Sequence, residues 1–453
     1  MPYLSLARNY FLPFLVVLII GLAGHCPSGY ATDSIWAPPQ LEQLINEALE
    51  NNRSIRSKAA RTEALKTRIP AAAALPDPKV GFAVQSLPTD SFAFDQEPMT
   101  QKQVFVEQTV PWLSKLELRS DTVAGRAAEK KAELEAARLD LAREVAETWY
   151  ELGYVAESQR INEEFIELMR RIRRDAESRY AVGGGQQQDI FQAEVELSGL
   201  QDEAIRLENL RKSIQHRLHE LTNRERYQAI DPPSHLPEPE FRFSASALAE
   251  EALAQNPILK GLKAAINRAR SETDLAVKDY YPDFNIRLSY GQREHDFNGR
   301  DLPDFISAAV AIDIPFWHKK KQSNELVAAK NDQRFAQNRY QDLKTRIPYK
   351  INSLISEIED TGRRCRLYTQ ELIPQAGQWA RSALDAYQVG KVEFDTMINA
   401  RIRVLQFRQE ASRLVYTAYQ KRAELEALIG GDAAQKSREK SLHTPGGETD
   451  AER

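Results

Sequence analysis

At 453 residues the chain has room for two or three ordinary domains of about 150 residues each. Charged residues make up 28% of it, the formal net charge is −4 and the mean hydropathy is −0.53, a weakly acidic balance with no basic excess for nucleic acid. Only Cys26 and Cys365 could carry thiol chemistry, too few for a disulfide framework or a cysteine-rich zinc site.

The N-terminus reads as an address. Arg8 precedes an apolar run from Phe11 to Gly24, which is shorter than the ~20 residues that span a bilayer. Gly29-Tyr30-Ala31 offers a small-residue cleavage site, so residues 1–31 are expected to form an export signal. Leu22-Ala23-Gly24 would begin a lipidation site if cysteine followed, but His25 separates it from Cys26, so Cys26 is expected to be removed unmodified.

An amphipathic helical stretch should run from Leu41 to Leu75, with Pro70 kinking or shortening it and Pro76-Asp77-Pro78 ending it. The period then changes to two. Val80, Phe82 and Val84 alternate with Gly81, Ala83 and Gln85. After a polar loop, Val104, Val106 and Val110 alternate with Gln103, Glu107 and Thr109, though Phe105 falls on the polar face. From Leu116 to Tyr180 no proline occurs, and ~65 helical residues would reach roughly 100 Å, longer than a compact domain holds. Its alanines would let neighbouring helices approach closely. Tyr180-Ala181-Val182-Gly183-Gly184-Gly185 supplies a glycine cap and turn, and a return helix follows over 188–221.

The same series then repeats. Leu44 to Asn52 matches Leu248 to Asn256, Pro78 matches Pro282, and Val110-Pro111-Trp112 matches Ile314-Pro315-Phe316, all at an offset of 204. Phe284, Ile286, Leu288 and Tyr290 form the third alternating strand, and Ile306, Val310, Ile312 and Ile314 the fourth. A second long helix is expected over 324–387, broken or kinked at Pro348 and Pro374. The turn Tyr387-Gln388-Val389-Gly390 matches Tyr180 to Gly183 at an offset of 207, so three residues have been gained between. A return helix over 393–428 closes the second copy. We expect one repeat over 32–230, another over 231–431 and a disordered polar tail over 432–453. A unit of about 200 residues is too long for a solenoid, whose period is roughly 20–50 residues.

Alternation alone fits either a membrane barrel or an ordinary antiparallel sheet with one face on a core. Arg287 and Asp313 on the polar face favour a wet interior. Four strands cannot close a barrel by themselves, which starts at about eight, so a barrel would need several chains.

These residues resemble the TolC-like outer-membrane efflux proteins over Leu41 to Gly430. The resemblance implies a mostly α-helical fold with a membrane β-barrel section: a long coiled-coil tunnel and four strands per chain, with a homotrimer completing twelve strands. It implies a passive duct with no enzymatic activity and no cofactor. Its partners would be outer-membrane lipid, a periplasmic adaptor and an inner-membrane resistance-nodulation-division pump. Leu75-Pro76-Asp77-Pro78 and Gln96 to Gln103 look like the CusC/CzcC-like branch, which implies heavy-metal cations as cargo. Ducts for drugs or secreted protein are the alternatives within the family, and a soluble periplasmic scaffold or adaptor is the alternative outside it.

The tips Val182, Gly183, Gly184, Val389 and Gly390 are similar to adaptor-docking motifs. In the family the entrance is held shut by an aspartate after the first tip and by tyrosine and arginine around the second. Asp189 and Tyr387 match by position, whereas the arginine position holds Val392, with Lys391 beside it as the substitute cation. Other constellations read more plainly. His216 and His219, three apart, are expected to be solvated rather than metal ligands. Gly183-Gly184-Gly185 lacks the strand before it and the Gly-Lys-Ser/Thr after it that a phosphate loop requires. Cys365 lies between Arg364 and Arg366, which would lower its pKa, but no histidine–acid pair accompanies it. No catalytic set is present and no metal site is expected.

Overall fold

The computed structural model describes residues 38–430 apart from 225, 226, 234, 235 and 297. The export signal, Cys26 and the polar tail lie outside the described residues. The elements run α1 (Pro39–Asn51), α2 (Arg53–Ala73), β1 (Lys79–Gln85), β2 (Gln101–Val110), α3 (Lys115–Ala181) and α4 (Gln187–Thr222). They continue with α5 (Ala245–Gln255), α6 (Pro257–Lys278), β3 (Phe284–Gln292), β4 (Phe305–Ile312), α7 (Gln322–Leu367), α8 (Ile373–Gln388) and α9 (Phe394–Ile429). The second half therefore repeats the order of the first, with α7 and α8 together in the place of α3.

The first helical stretch is two helices, not one. It breaks at Asn52, whose side chain accepts from the Ser54 and Ile55 amides and so caps α2. Asn256 does the same for Ile258 and Leu259 at the start of α6. Each asparagine also donates to the end of its own return helix, Asn52 to Leu221 O at 3.3 Å and Asn256 to Leu428 O at 2.8 Å. Pro70 causes no break: α2 runs through it and ends three residues later, at Ala73.

The prolines of the second long helix act differently from one another. α7 passes through Pro348 unbroken, held on either side of it by Ile347, Ile351, Leu354 and Ile355 in one apolar cluster. Ahead of Pro374 the helix widens into a π-helical turn, Tyr368–Leu372, which moves the preceding carbonyls away from the ring. α3 has no such turn over its 67 residues, about 100 Å of helix. Trp112 lies three residues before α3, whereas Phe316 lies six before α7, so by these bounds the extra residues fall in the turn after β4.

The two copies do not form separate bodies. The sheet order is β1-β2-β3-β4, all antiparallel, so β2 of the first copy pairs with β3 of the second, Val110 opposite Phe284 and Lys102 opposite Gln292. One apolar cluster draws on α1, α3, α4 and α9 together, with Trp149 at its centre and Tyr416 against it. The connection between the copies is pinned there, since Gln215 donates to Ile230 O and accepts from Ile230 N, and Trp149 Nε1 donates to Asp231 O at 3.1 Å.

The sheet resolves its own ambiguity. An ordinary half-buried sheet would hide its apolar face, yet here that face is bare: Val80 is 73% exposed, Ile306 78%, and Phe82, Val106, Leu288 and Val310 are exposed too. The only charge among the outward positions of the strands is Lys102 at one end of β2, paired with Glu294 beyond the end of β3. β1 and β4 pair with no further strand in the described chain, so both sheet edges are open. β4 stops at Ile312, short of the expected Ile314. Among the described residues no helix is long and apolar enough to cross a membrane.

The junction between sheet and long helix is tightly bonded. Trp112 stacks on Tyr281 and Phe284, ring centroids 5.1 and 5.8 Å away. Lys115, buried, donates to Asp283 Oδ1 at 2.9 Å and to Tyr281 O at 3.1 Å, and lies 3.4 Å from Asp279. Burial alone would raise the Asp283 carboxyl, but the Lys115 ammonium and the Trp112 amide outweigh it and hold the group below its ordinary value.

Candidate functional site at the helical tips

Both long hairpins turn in the same way. Gly183 N bonds to Tyr180 O and Gly184 N to Arg179 O, closing the end of α3; Gly390 N bonds to Tyr387 O and Lys391 N to Ala386 O, closing α8. Gly183 and Gly390 sit at φ +77° and +73°, and a Cβ on either would meet nothing within 4 Å. Glycine is required there by the backbone and not by space. Gly184 has no such demand, and the second copy carries Lys391 in its place. The backbones of the two tips match; what differs is the side chains.

Val182 and Val389 cap the tips at 83% and 68% exposure. Such bare valines at both apices form a small apolar end-face, underpinned by a cluster in which Ile172, Ala176 and Ala193 of the first hairpin meet Ala380, Ala383 and Met397 of the second.

The two gate candidates named from sequence meet. Tyr387, next to last in α8, donates from its hydroxyl to Asp189 Oδ2 at 2.8 Å, in the first turn of α4. Phe394 stands edge-on to the tyrosine ring at 5.4 Å. Burial, then the bond to Asp189, pushes the Tyr387 hydroxyl up to about 12, so it stays a donor throughout the neutral range.

The cation in this arrangement is Arg179. Its guanidinium lies over the Tyr387 ring at 4.6 Å and donates to Tyr387 O at 2.9 Å, a contact of ~0.5–1 kcal/mol for the ring alone. Lys391 is exposed and makes no side-chain bond among the described residues. Sequence reading looked for a cation beside the second tip and missed the one supplied by the first; its signal was Arg179-Tyr180, immediately before the turn. A further cross-hairpin bond, Gln192 Nε2 to Asp395 Oδ1 at 3.1 Å, lies just behind.

The sequence profile of outer membrane efflux proteins matches residues 44–224 and again 248–431. The chain belongs to the outer membrane efflux protein family. Its channels are passive, not enzymes; they are trimeric and work with an adaptor and an inner-membrane pump, which places the protein in the outer membrane. The twofold match follows the internal repeat.

Solved structures share the fold at low identity. A membrane protein from Pseudomonas aeruginosa superposes with a TM-score of 0.77 at 16% identity over 89% of this chain and 94% of its own. The transmembrane channel CusC gives 0.75 at 14% over 88% and 94%, and the outer membrane protein VceC of Vibrio cholerae 0.73 at 18% over 86% and 96%. No curated protein sequence matches the chain significantly. The fold is thus that of trimeric channels in which four strands per chain complete a twelve-stranded barrel above a helical tunnel.

The other constellations dissolve. His216 and His219 both lie against Tyr227, ring centroids 5.6 and 4.7 Å away. His219 is not solvated as expected: burial, then Arg224, lowers its pKa. Cys365 is buried, and burial pushes its thiol up to about 11, the reverse of the expectation from its arginine neighbours. Arg364 is turned away to Glu410 at 2.9 Å. Among the described residues no cluster could hold a metal ion.

Proposed function

We propose that the chain is the outer-membrane duct of a tripartite efflux system, its helical tunnel standing in the periplasm and exporting heavy-metal cations handed on by a resistance-nodulation-division pump and an adaptor. The bare apolar face of a four-stranded sheet, with open edges and polar residues behind it, carries the duct reading, because only closure with other copies in lipid satisfies both face and edges. Asp189, Tyr387 and Arg179 serve as the closed latch of the tunnel entrance, and Val182, Gly183, Gly184, Val389 and Gly390 as the adaptor's landing site. Lys391, free within its own chain, would act between protomers or on the adaptor.

The metal cargo rests on the CusC/CzcC-like segments Leu75 to Pro78 and Gln96 to Gln103; the fold neighbours do not separate it from drug efflux. The described residues hold no cluster that could bind a metal ion, and cargo choice is assigned to the pump. Outer-membrane fractionation and heat-modifiable gel migration test the duct; a soluble periplasmic monomer would overturn it. Sensitivity of a deletion strain to metal salts, against sensitivity to organic drugs, tests the cargo.

A further inference from the structure

The inner face of the sheet carries its charge in one row. Lys79, Glu107 and Arg287 are direct cross-strand neighbours, Lys79 opposite Glu107 in β1–β2 and Glu107 opposite Arg287 in β2–β3. The row ends on Ala309 in β4. Every other inward position on the four strands is uncharged. Two cations and one anion leave +1 per chain at this level (2 − 1), hence a ring of +3 in a trimer. Asp313, one residue past β4 on the same face and accepting from Asn285 at 3.3 Å, balances it further along the wall, so the positive excess is confined to the row.

Arg287 is held in place. Its guanidinium lies 3.6 Å from the centre of the Phe105 ring, and that ring leans over Gly81, where a Cβ would come within 2.4 Å of it. This accounts for Phe105 among the polar residues of β2 on that face. The side chain makes no ion pair or hydrogen bond among the described residues. Stacking on an aromatic face fixes a guanidinium without neutralising it.

We propose that Arg287, braced by Phe105 over Gly81, is a selectivity-determining residue that gives the barrel bore a preference for anions. The inference rests on the trimeric duct reading. Twelve strands about 4.8 Å apart and tilted about 40° enclose a backbone radius of roughly 12 Å. A guanidinium reaching in from that wall stands within about one Debye length of the axis at 0.1 M salt, which is ~10 Å. The field is therefore felt across the bore at low salt and collapses at high salt. A cationic cargo gains nothing from it, so metal export would depend on the pump's drive.

The test is the reversal potential of purified full-length trimers in planar bilayers under a KCl gradient of about 10 against about 100 mM. It is run on the native chain and on an Asp189→Ala background, which removes the tip's resistance. Expected is a chloride-over-potassium permeability ratio above one that falls about twofold or more in Arg287→Gln and is kept in Arg287→Lys. In about 1 M salt, where the Debye length is ~3 Å, the variants should converge. Conducting Arg287→Gln trimers with an unchanged low-salt reversal potential would overturn the inference alone. Protein that never conducts would overturn the duct reading and this inference with it.

Discussion

The Tyr387 hydroxyl donates to Asp189 Oδ2 at 2.8 Å and thereby ties the second helical hairpin to the first across 198 residues of chain. A hydrogen bond to a charged group contributes ~1.5–3 kcal/mol, enough to shift a closed–open equilibrium roughly tenfold to a hundredfold. Asp189→Ala and Tyr387→Phe should therefore each raise channel conductance in planar bilayers. Unchanged conductance in both would remove these residues from the gate.

Arg179→Ala should open the entrance in the same assay, since it removes both the contact over the Tyr387 ring and the bond to Tyr387 O. Lys391→Ala, with no bond inside its own chain, should leave a reconstituted single-chain tip unaffected and act only in the trimer or with the adaptor. Equal effects of the two on the isolated chain's tip contacts, read by cross-linking of positions 189 and 387, would contradict this division.

The latch has a predictable pH range. The folded value of Tyr387, about 12, lies above the ordinary 10, so its contribution is complete below pH 10 and is lost as pH rises through about 12. Conductance should be insensitive to tyrosine ionisation through the neutral range and rise only at strongly alkaline pH. A transition near pH 10 that disappears in Tyr387→Phe would show that the bond is weaker than its geometry implies.

Asn52 and Asn256 each cap a helix and hold a return helix, so Asn52→Ala and Asn256→Ala should each destabilise the fold by ~0.5–2 kcal/mol through the cap alone. Thermal melts should show losses of similar size, because the bonds are the same in both copies. Loss at one site only would mean that the repeats are not energetically equivalent.

Val182→Asp with Val389→Asp should abolish adaptor capture while leaving trimer stability within ~0.5 kcal/mol, both side chains being exposed and touching no core. Retained capture would move the docking site elsewhere. At the other end of the tunnel, Lys115→Met strands the lowered Asp283 carboxyl. The stability that this pair supplies is present above pH 3.8 and is lost as pH falls through the lowered folded value, so acid melts should distinguish the variant least.

Much of this molecule could be read in one dimension. The change of period from 3.6 to 2 marked the four strands, unbroken proline-free sequence marked α3, and glycine after a helix marked the two tips, because each of these is a local property of the backbone. The Asn52 break was also written there, as an asparagine at the same place in both repeats, but its meaning depends on carbonyls 169 and 172 residues away.

What the sequence determined by itself, then, was the alternation of helices and strands, the doubling and the two glycine turns, since local sterics and spacing decide these; Asp189 and Tyr387 were singled out by the family resemblance. Tertiary structure alone decided that β2 pairs with β3, so that the halves share one sheet, and that the sheet's apolar face stays bare. It also decided that the cation beside Tyr387 is Arg179, and that Cys365 and His219 are shielded rather than reactive. Those outcomes depend on which surfaces remain uncovered once distant segments have packed, and that is set by the whole chain competing for burial, not by any one stretch of it.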